Sequence, residues 1–402
     1  MLKLFQINIT ANWGSHGKIA EDIGKCAMAQ GWDSYIAYGR WSRSSKSKLI
    51  RIGNLWDERW HALQNRIIDN HGLASKAVTH ELVNKLIEIS PDVIHLHNIH
   101  GYYLNYPILF GFLAQYNKPV VWTLHDCWSF TGHCAYFTFS KCEKWKTCCH
   151  DCSNKKKYPS SYFLDKSKRN YELKRDIFTS VTNMTLIPVS EWLDGLLAQS
   201  FLKNVPRKCI HNGIDLDVFK PNEVFKNLYF NKKIVLGVSS IWETRKGLAD
   251  FISLREILDN QYVIILIGLT KRQIAELPRG IIGIERTNDI HELTAYYSRA
   301  DVFVNPTYED NFPTTNLEAL ACGVPVITYN TGGSPEAIDE QTGIVTPVGD
   351  IRILANSIIR ICSDGKNIVR LNLCRQRAEL FFNKNDCYKE YLDLYHKLLQ
   401  SK

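Results

Sequence analysis

The stretch DNFPTTNLEALACGVPVITYNTGGSPEAI, residues 310–338, decides the fold prediction and supplies the first candidate functional residues. It places Asp310 and Glu318 on either side of seven residues at a predicted strand-to-helix junction. Taken alone, each residue has a structural explanation, with Asp310 as a helix cap and Glu318 as an exposed helical carboxylate. The small-residue helix, Gly-Val-Pro strand and Gly-Gly loop that surround them favour instead two carboxylates that accept hydrogen bonds from ligand hydroxyls.

Strand-like runs alternate with helix-length stretches on both sides of this segment, which is the rhythm of parallel, doubly wound sheets. In the second half of the chain the runs are KIVLGVS, YVIILIG, GIIGIE, DVFVNP, PVITYN and GIVTP. In the first half they are LKLFQINI, SYIAYG, DVIHLH, PVVWTLH, TLIPVS and KCIHNG. The two series predict an α/β protein with two Rossmann-like domains.

A polar stretch near Asp217–Lys232 separates the two series and sets the predicted domain boundary. We expect an N-terminal domain over residues 1–215, a second domain over 216–384, and a C-terminal helix over 385–402 that packs back toward the first domain. Ligands of open parallel sheets bind beyond the carboxyl ends of the strands. Two such sheets facing one another predict a cleft between the domains, where the chemistry is expected.

The composition of the 402 residues is that of a packed globular protein, with 45% hydrophobic and 22% charged residues. No apolar run approaches the roughly 20 residues that a membrane-spanning helix needs. The first residues, MLKLFQINIT, enter a strand pattern directly and lack the features of a secretory signal, which predicts a cytoplasmic protein. The net charge of +8 is concentrated between Lys141 and Arg175, where eleven Lys or Arg residues accompany four acidic ones. This segment predicts a local basic surface.

The segment at 310–338 resembles the signature of retaining glycosyltransferase family 4, in which two acidic residues precede a small-residue helix, a Gly-Val-Pro strand and a Gly-Gly loop. The resemblance extends over nearly the whole chain and implies a GT-B fold of two facing Rossmann-like domains. It implies that Asp310 approaches the transferred sugar and that Glu318 holds the nucleotide ribose. Asp310 stands where the family usually has Glu, and its side chain has the shorter reach.

Two further segments resemble landmarks of the same family. HNGIDLDVFKP, residues 211–221, is similar to its interdomain segment, and GVSSIWETRKGLADFI, residues 237–252, is similar to its phosphate-binding strand and helix. In the second segment Arg245 and Lys246 are expected to neutralise a diphosphate leaving group. The alternative is a solvated pair at a helix start, where positive charge is unfavourable unless an anion binds. The Arg that family members often carry near Ser240 is absent.

Two glycine-containing loops are candidates for contact with the donor. Gly14 and Gly17, in INITANWGSHGKIAEDIG, permit close approach of a ligand, although ordinary turn glycines explain them equally well. By resemblance, this loop borders the donor phosphate and the acceptor. Gly332 and Gly333 resemble the family's donor loop, with Glu336 as an acceptor for a sugar hydroxyl. The alternative for that loop is a turn followed by a helix cap.

Four histidines lie near the carboxyl ends of predicted strands. His125 follows the buried-looking run VVWTL, and by resemblance it contacts the donor sugar, while the alternative is a core histidine bonded to a backbone carbonyl. His95 and His97 alternate on one strand and so share a face, and His100 lies in the following loop. We interpret these last three as sugar or backbone contacts rather than metal ligands.

The N-terminal domain carries a Cys-rich insertion near residues 134–152. Its Cys134, Cys142, Cys149 and Cys152 include one CxxC pair, a spacing that suits a structural, tetrahedral zinc ion, with a disulfide or free thiols as alternatives. By resemblance, similar cysteines occur in a branch of the family that includes transferases of colanic acid assembly. The lysines at 155–157 either contact an anionic membrane or lipid-diphosphate acceptor, or form a solvated loop.

Residues and resemblance together predict a hexosyltransferase that acts with retention, from a nucleoside diphosphate sugar to a glycan or lipid-linked acceptor, in capsule, exopolysaccharide or O-antigen synthesis. No cofactor is expected for catalysis and no nucleic acid as a partner, and the enzyme is expected in the cytoplasm or on the inner face of the membrane. The alternatives are a sugar-nucleotide epimerase on the same scaffold and a non-catalytic sugar-binding assembly protein. A metal-dependent transferase that uses the DxD at Asp215–Asp217 is disfavoured, because this motif lies at the predicted domain junction.

Overall fold

The computed structural model describes residues 1–222, 232–363, 365 and 367–400. Residues 223–231 of the polar stretch that set the predicted domain boundary, and residues 401–402 of the predicted C-terminal segment, lie outside the described residues. The chain divides into two compact units, one formed by Met1–His211 with Cys387–Lys402 and the other by Asn212–Asp386.

The described part of the first unit contains a six-stranded parallel sheet in the order β3-β2-β1-β4-β5-β6. The strands are β1 (Lys3–Asn8), β2 (Asp33–Tyr38), β3 (Lys48–Arg51), β4 (Val93–Leu96), β5 (Val120–Leu124) and β6 (Met184–Pro188). Every residue of β4, β5 and β6 is buried, because both faces of the sheet are covered.

The described part of the second unit repeats this plan, with a parallel sheet in the order β12-β11-β10-β7-β8-β9. Its strands are β7 (Lys233–Val238), β8 (Tyr262–Ile267), β9 (Ile281–Ile284), β10 (Val302–Asn305), β11 (Val326–Tyr329) and β12 (Gly343–Thr346). Read from its third strand, β9, to its last, β12, this order is the doubly wound order of the first unit. Each sheet therefore has one point where the strand order reverses.

Helices connect the strands in both units. Those of the first unit are α1 (Gly14–Ala29), α2 (Leu55–Ile68), α3 (Lys76–Ile89), α4 (Tyr106–Leu113), α5 (Ser167–Phe178) and α6 (Glu191–Leu197). Those of the second are α7 (Leu248–Ile257), α8 (Lys271–Ala275), α9 (Ile290–Arg299), α10 (Thr314–Ala321), α11 (Ile351–Ser363) and α12 (Ile368–Phe381), and α13 (Lys384–Gln400) follows. No helix in the described ranges has both the length and the hydropathy needed to cross a bilayer.

From Cys387 onward, α13 belongs to the first unit. Its buried aromatic residues Tyr388, Tyr391 and Tyr395 recur at helical spacing and belong to one apolar core with Leu4 and Val93 of the central strands. Burial of that aromatic stripe holds the helix on the sheet of the first unit.

All six strands predicted in the second half are present, but the first half shows one wrong prediction and one omission. The run KCIHNG, residues 208–213, is not a strand: Lys208 and Ile210 donate backbone hydrogen bonds to β6, yet the pairing amounts to an isolated bridge at Arg207. The strand β3 was missed because three of its four residues are exposed, so it lacks an apolar run. It pairs with β2 at the edge of the sheet, where exposed polar residues are tolerated.

Candidate active site

The carboxyl ends of neighbouring strands converge where each strand order reverses, between β1 and β4 in the first unit and between β7 and β10 in the second. In open parallel sheets these switch points are where ligands bind. The candidate residues of the second unit follow β7, β10 and β11, and His125 of the first unit follows β5.

Lys246 and Asp310 form an ion pair at the switch point of the second unit. Lys246 ends the 3₁₀ turn Thr244–Lys246 that follows β7, and Asp310 lies in the loop after β10. The Lys246 Nζ and Asp310 Oδ2 atoms are 2.5 Å apart, and the two side chains are only 19% and 17% exposed. A pair so little exposed is screened less by salt than a surface pair. The structure thus joins the two predicted residues directly.

Arg245 lies at the same edge. Its Nη1 donates to the Glu309 carbonyl at 3.0 Å and its Nε to the Glu243 carboxylate at 3.0 Å. The Tyr308 backbone N–H donates in turn to the Arg245 carbonyl at 2.7 Å. These bonds fix the turn after β7 against the loop after β10, so the guanidinium is positioned by backbone as well as by charge.

Two glycines allow these loops to meet. Gly247 has φ +75°, and a Cβ there would lie 2.2 Å from the Pro306 carbonyl oxygen. Gly332 has φ +56°, and a Cβ there would lie 1.6 Å from the Asp310 carbonyl oxygen. Gly333 donates its N–H to the carbonyl of the residue after Asp310 at 3.0 Å. Only glycine combines this backbone conformation with so close an approach, so Gly332 helps to position Asp310.

Glu318 is held by a residue that sequence reasoning missed. The buried Tyr297 of α9 donates its hydroxyl to Glu318 Oε2 at 2.8 Å. Burial, together with the nearby Glu318 charge, raises the pKa of Tyr297 well above its ordinary value, so the phenol stays a donor. Glu318 itself is half-buried in α10. The signal for Tyr297 was a tyrosine on the apolar face of α9, which is equally typical of simple packing.

A polar bridge fixes the start of α10 to the donor-loop candidates. The buried Asn316 side chain accepts from Asn305 Nδ2 at 2.9 Å and donates to the Ser334 carbonyl at 3.3 Å. The Ser334 hydroxyl is buried and has no hydrogen-bond partner within the described structure. Sequence reasoning named none of these three residues, since Asn and Ser are common at turns.

Glu336 is half-buried in the 3₁₀ turn Ser334–Ala337. Arg377 of α12 holds this turn by donating to the Ala337 carbonyl at 2.7 Å and to the Glu336 carbonyl at 3.3 Å. The turn predicted as the alternative for this segment is thus present, and it is compatible with a binding role for the Glu336 carboxylate.

In the first unit, a chain of hydrogen bonds links Gln6 and His97 to His125. Gln6 donates its Nε2 to the Ala20 carbonyl at 2.7 Å, which leaves Gln6 Oε1 to accept from His97 Nε2 at 3.0 Å. His97 Nδ1 then accepts, at 3.2 Å, from His125 Nε2. Burial lowers the pKa of both histidines well below the ordinary value, so both rings are neutral at pH 7. His125 is therefore an oriented, uncharged imidazole.

His16, at the start of α1, lies beside this chain and was not among the predicted residues. Its ring centroid is 5.9 Å from that of His125, and its buried Nδ1 has no partner in the described structure. Burial lowers the pKa of His16 to about 4. An unpartnered buried nitrogen is costly unless a ligand or water completes it.

Gly14 and Gly17 have different environments. Gly14 has φ +67°, and no atom of the described residues beyond its chain neighbours would lie within 4 Å of a Cβ there. Helix α1 starts at Gly14 without a side-chain cap from Trp13. A Cβ on Gly17 would lie 2.6 Å from the Thr10 hydroxyl, which explains this glycine by packing alone. The uncapped N–H groups of α1 are available to an anion.

His95 and His100 have structural partners. His95 bonds to the Thr123 hydroxyl at 2.8 Å and to the Tyr395 hydroxyl at 2.6 Å, which ties β4 to α13. His100 Nε2 lies 2.8 Å from Asp126 Oδ2. Burial opposes ionisation of the Asp126 carboxyl, but the charge and hydrogen bond of His100 hold the pKa of Asp126 below its ordinary value.

The four predicted zinc ligands lie near one another but fit a metal only in part. Cys134, Cys142, Cys149 and Cys152 carry thiols and line one cavity of about 20 Å³. The Cys134 thiol is hydrogen-bonded to Cys152, and Cys149 Sγ accepts from the Gly132 N–H at 3.2 Å. Among the described residues, no group of three or more His, Cys, Asp or Glu side chains has the arrangement of a metal site. The zinc assignment stays a prediction.

The DxD aspartates have a structural explanation. Asp215 Oδ2 lies 2.5 Å from Lys384 Nζ, and Asp215 Oδ1 accepts from the backbone N–H groups of Asp217 and Val218. Asp217 is exposed. Asp215 therefore caps a turn and closes the second unit onto its own C-terminal segment.

Two family models match the chain. Residues 17–218 match the model described as Glycosyltransferase Family 4, and residues 232–364 match the model described as Glycosyl transferases group 1. The first match alone spans half of the chain.

Named relatives and a solved structure agree with these matches. WcaC of Escherichia coli (strain K12), whose name assigns it to glycosyl transfer in colanic acid biosynthesis, is 23% identical over 99% of this chain and 100% of its own length. The Campylobacter jejuni N,N'-diacetylbacillosaminyl-diphospho-undecaprenol alpha-1,3-N-acetylgalactosaminyltransferase is 29% identical over 47% of this chain and 54% of its own length. The structure of Anabaena HepE in complex with UDP superposes with a TM-score of 0.68 at 16% identity, covering 99% of this chain and 100% of that one. That likeness and the two parallel sheets confirm the predicted GT-B fold class.

Proposed function

Since this chain belongs to glycosyltransferase family 4, we propose that it transfers a hexosyl group from a nucleoside diphosphate sugar to a glycan or lipid-linked acceptor, with retention of the anomeric configuration. The setting we propose is the assembly of a capsular or extracellular polysaccharide or of an O-antigen. The names of the relatives support it, since one refers to colanic acid and the other to a diphospho-undecaprenol. The observation that carries the proposal is the Lys246–Asp310 pair beside Arg245 at the switch point of the second unit.

Arg245 and Lys246 are proposed to bind the diphosphate of the donor. Both cations are held in place before any ligand arrives, Arg245 by the Glu309 carbonyl and Lys246 by Asp310. Charges that are already oriented stabilise a developing charge without the cost of reorganisation. As the bond from the anomeric carbon to the diphosphate breaks, the leaving oxygen gains negative charge and takes up the proton of the attacking acceptor hydroxyl. In this proposal the two cations balance that charge, and catalysis requires no metal ion.

The carboxylates are proposed to bind hydroxyl groups of the donor. Asp310, freed from Lys246 by the diphosphate, accepts a hydrogen bond from the transferred sugar. Glu318 accepts from the ribose hydroxyls, because a carboxylate that already accepts one bond from Tyr297 keeps further lone pairs. Glu336 and the backbone N–H groups of Gly332 and Gly333 complete the donor loop.

His125 is proposed to contact the donor sugar as a neutral hydrogen-bonding group, and Gly14 and Gly17 to border the donor phosphate and the acceptor. The buried, unpartnered Nδ1 of His16 supports a ligand near that edge of the first unit. A structural zinc at the Cys-rich segment is proposed separately. Metal analysis of the purified chain tests this proposal. About one zinc ion per chain would support a structural zinc site, and a folded chain without metal would contradict it.

The proposed function is tested by release of nucleoside diphosphate from a panel of sugar nucleotides, with and without lipid-linked and glycan acceptors, in a chelator. Acceptor-dependent release from one donor is the expected result. Conversion of the donor without acceptor would replace the proposal with an epimerase. Binding without any release would replace it with a non-catalytic assembly protein, and release that stops in chelator would show a metal-dependent reaction.

A further inference from the structure

Helix α2 of the first unit buries its polar face and exposes its apolar face, the reverse of the usual arrangement. Its buried residues are the polar Glu58, His61 and Asn65. Its exposed face carries large apolar side chains at helical spacing, Trp56, Trp60, Leu63 and Ile67, which are 76%, 62%, 45% and 42% exposed. Helices on the surface of globular proteins ordinarily bury such a stripe.

The buried polar residues fix the rotation of α2. Glu58 accepts from Arg40 Nε at 3.1 Å. His61, whose pKa burial lowers to about 3, accepts the Gly72 N–H at 3.0 Å through Nε2 and bonds to Ser75 through Nδ1 at 2.9 Å. Rotating the helix to bury the tryptophans would break these bonds and leave buried polar groups unpaired, at a high cost. The apolar stripe is therefore held outward.

The neighbouring segment Tyr162–Leu164 extends this apolar surface. The Tyr162 and Leu164 backbone N–H groups donate to the carbonyls of Arg66 and Ile67, at 2.8 and 3.3 Å. Tyr162, Phe163 and Leu164 are all exposed, Phe163 to 72%. We call the stripe of α2 together with Tyr162–Leu164 the aromatic face.

Basic residues surround the aromatic face. Arg59 and Arg66 of α2 are exposed, and the Arg59 guanidinium carbon lies 5.5 Å from the ring centroid of Trp56. Lys156 and Lys157 are exposed in the segment that leads into Tyr162–Leu164. The Ser161 N–H donates to the Lys155 carbonyl at 2.7 Å, which holds the lysines close to the start of that segment. The Lys166 N–H donates to the carboxylate of Asp69, which caps the C-terminal end of α2. This bond holds the start of α5 beside the end of α2, and α5 contributes Lys168 and Arg169 to the basic surroundings.

We propose that the aromatic face is a docking surface for an anionic lipid bilayer. Tryptophan, phenylalanine and leucine beside lysine and arginine are the composition of surfaces that lie in the interfacial region of a membrane. Lysine is depleted at protein–protein interfaces, whereas it is favoured near anionic headgroups. The inference deepens the proposed function, because a lipid-linked acceptor resides in such a bilayer. Docking itself needs neither donor nor acceptor.

The test is cosedimentation of the full chain with vesicles of phosphatidylglycerol and phosphatidylcholine in equal parts, and with vesicles of phosphatidylcholine alone. We expect binding to the anionic vesicles that weakens as salt is added. The double variant Trp56→Ser/Trp60→Ser should bind both kinds of vesicle with a partition coefficient at least about tenfold lower. The matched control, Ile368→Ser/Val369→Ser, removes apolar residues that are 72% and 67% exposed in the second unit and should bind like the parent.

A second pair of variants separates charge from apolar contact. Lys156→Glu/Lys157→Glu should lower binding to the anionic vesicles by at least about thirtyfold and leave binding to neutral vesicles unchanged. Lys271→Glu/Arg279→Glu, at exposed positions of the second unit, is the charge-matched control and should have little effect. Since all these positions are exposed, unchanged thermal midpoints are expected and show that the variants remain folded.

The proposal is overturned if the parent binds neither kind of vesicle, or if the tryptophan variant binds as the parent does. It is equally overturned if the parent self-associates in solution and the tryptophan variant abolishes that association instead of vesicle binding, since the aromatic face is then an interface between copies of this chain. Nucleoside diphosphate release with a water-soluble acceptor analogue, measured in Trp56→Ser/Trp60→Ser without vesicles, should be unchanged. A failure of docking is thereby distinguished from a failure of transfer.

Discussion

The ammonium of Lys246 lies 2.5 Å from the carboxylate of Asp310, although 64 residues separate them in the chain. The pair joins the turn after β7 to the loop after β10, at the switch point of the second sheet. A bound diphosphate would compete with Asp310 for the same ammonium. The two residues are therefore expected to act in opposite directions on diphosphate binding.

Lys246→Met should weaken binding of the nucleoside diphosphate about tenfold or more, because it removes a charge from a site with little exposure. Asp310→Asn should strengthen the same binding several-fold, because the ammonium no longer has a competing carboxylate. Isothermal titration calorimetry measures both. Lys271→Met, at an exposed lysine, is the control and should bind as the parent does. Weakening by both substitutions would contradict the competition.

Glu318→Gln should raise the KM for the donor about tenfold with little change in kcat, because a ribose contact is made equally in the ground and transition states. Tyr297→Phe, which removes the bond that orients Glu318, should have a smaller effect in the same direction. The 2′-deoxy form of the nucleoside diphosphate supplies the cross-check. The parent should bind the 2′-deoxy form more weakly than the ribose form, whereas Glu318→Gln should bind the two forms with equal affinity. If the variant still prefers the ribose form as strongly as the parent does, Glu318 does not hold the ribose.

Gly332→Ala should lower the free energy of unfolding by about 3 kcal/mol, because its Cβ would overlap the Asp310 carbonyl oxygen in a left-handed backbone conformation. Turnover should fall too, since Asp310 must move. Gly195→Ala is the matched control, because this glycine lies within α6 and, beyond its chain neighbours and the backbone of that helix, no atom of the described residues is within 4 Å of its Cβ position. The change should be neutral or stabilise by up to about 1 kcal/mol. Urea unfolding followed by circular dichroism measures both, and equal effects would contradict the packing argument.

Asp215→Asn should cost about 1 kcal/mol at pH 7, and this cost should disappear in acid. Burial of Asp215 opposes ionisation, but the hydrogen bond and charge of Lys384 hold its pKa below the ordinary value. A depressed carboxyl pKa contributes stability above the unfolded pKa of about 3.9, and that stability is lost as pH falls through the folded pKa. Unfolding at pH 7 and at successively lower pH, below about 4, measures the difference. The exposed Asp217→Asn is the control, and equal losses of activity in both variants would revive a DxD metal site.

The sequence predicted the second unit better than the first for a physical reason. The strands of the second sheet carry apolar runs bounded by polar turns, so their pattern is unambiguous. The edge strand β3 lacks such a run, and the residues 208–213 carry a strand-like pattern without completing a ladder. An apolar pattern reports burial, whereas strand pairing depends on neighbours that are distant in sequence.

Prediction of the candidate site from the sequence has the same limit, because contacts between distant residues leave no local pattern. Motif resemblance selected Asp310, Lys246 and Gly332, which the structure brings into contact. It did not select Tyr297 or His16, because a tyrosine on an apolar helix face and a histidine in the first turn of a helix carry no local signal of their partners. Helix α2 is the clearest case. Its periodicity alone would place the apolar stripe in the core, and only the paired polar residues of its other face reveal the reverse orientation.

The most direct test of the central claim is product formation followed by mass spectrometry, with the donor and acceptor identified by the panel, for the parent and Asp310→Asn. The account predicts that the parent forms a product one hexosyl unit heavier than the acceptor. Asp310→Asn should bind the nucleoside diphosphate at least as tightly yet form that product about a hundredfold more slowly. Parent-like turnover by Asp310→Asn in a folded protein would contradict the assignment of catalysis to this edge of the second unit.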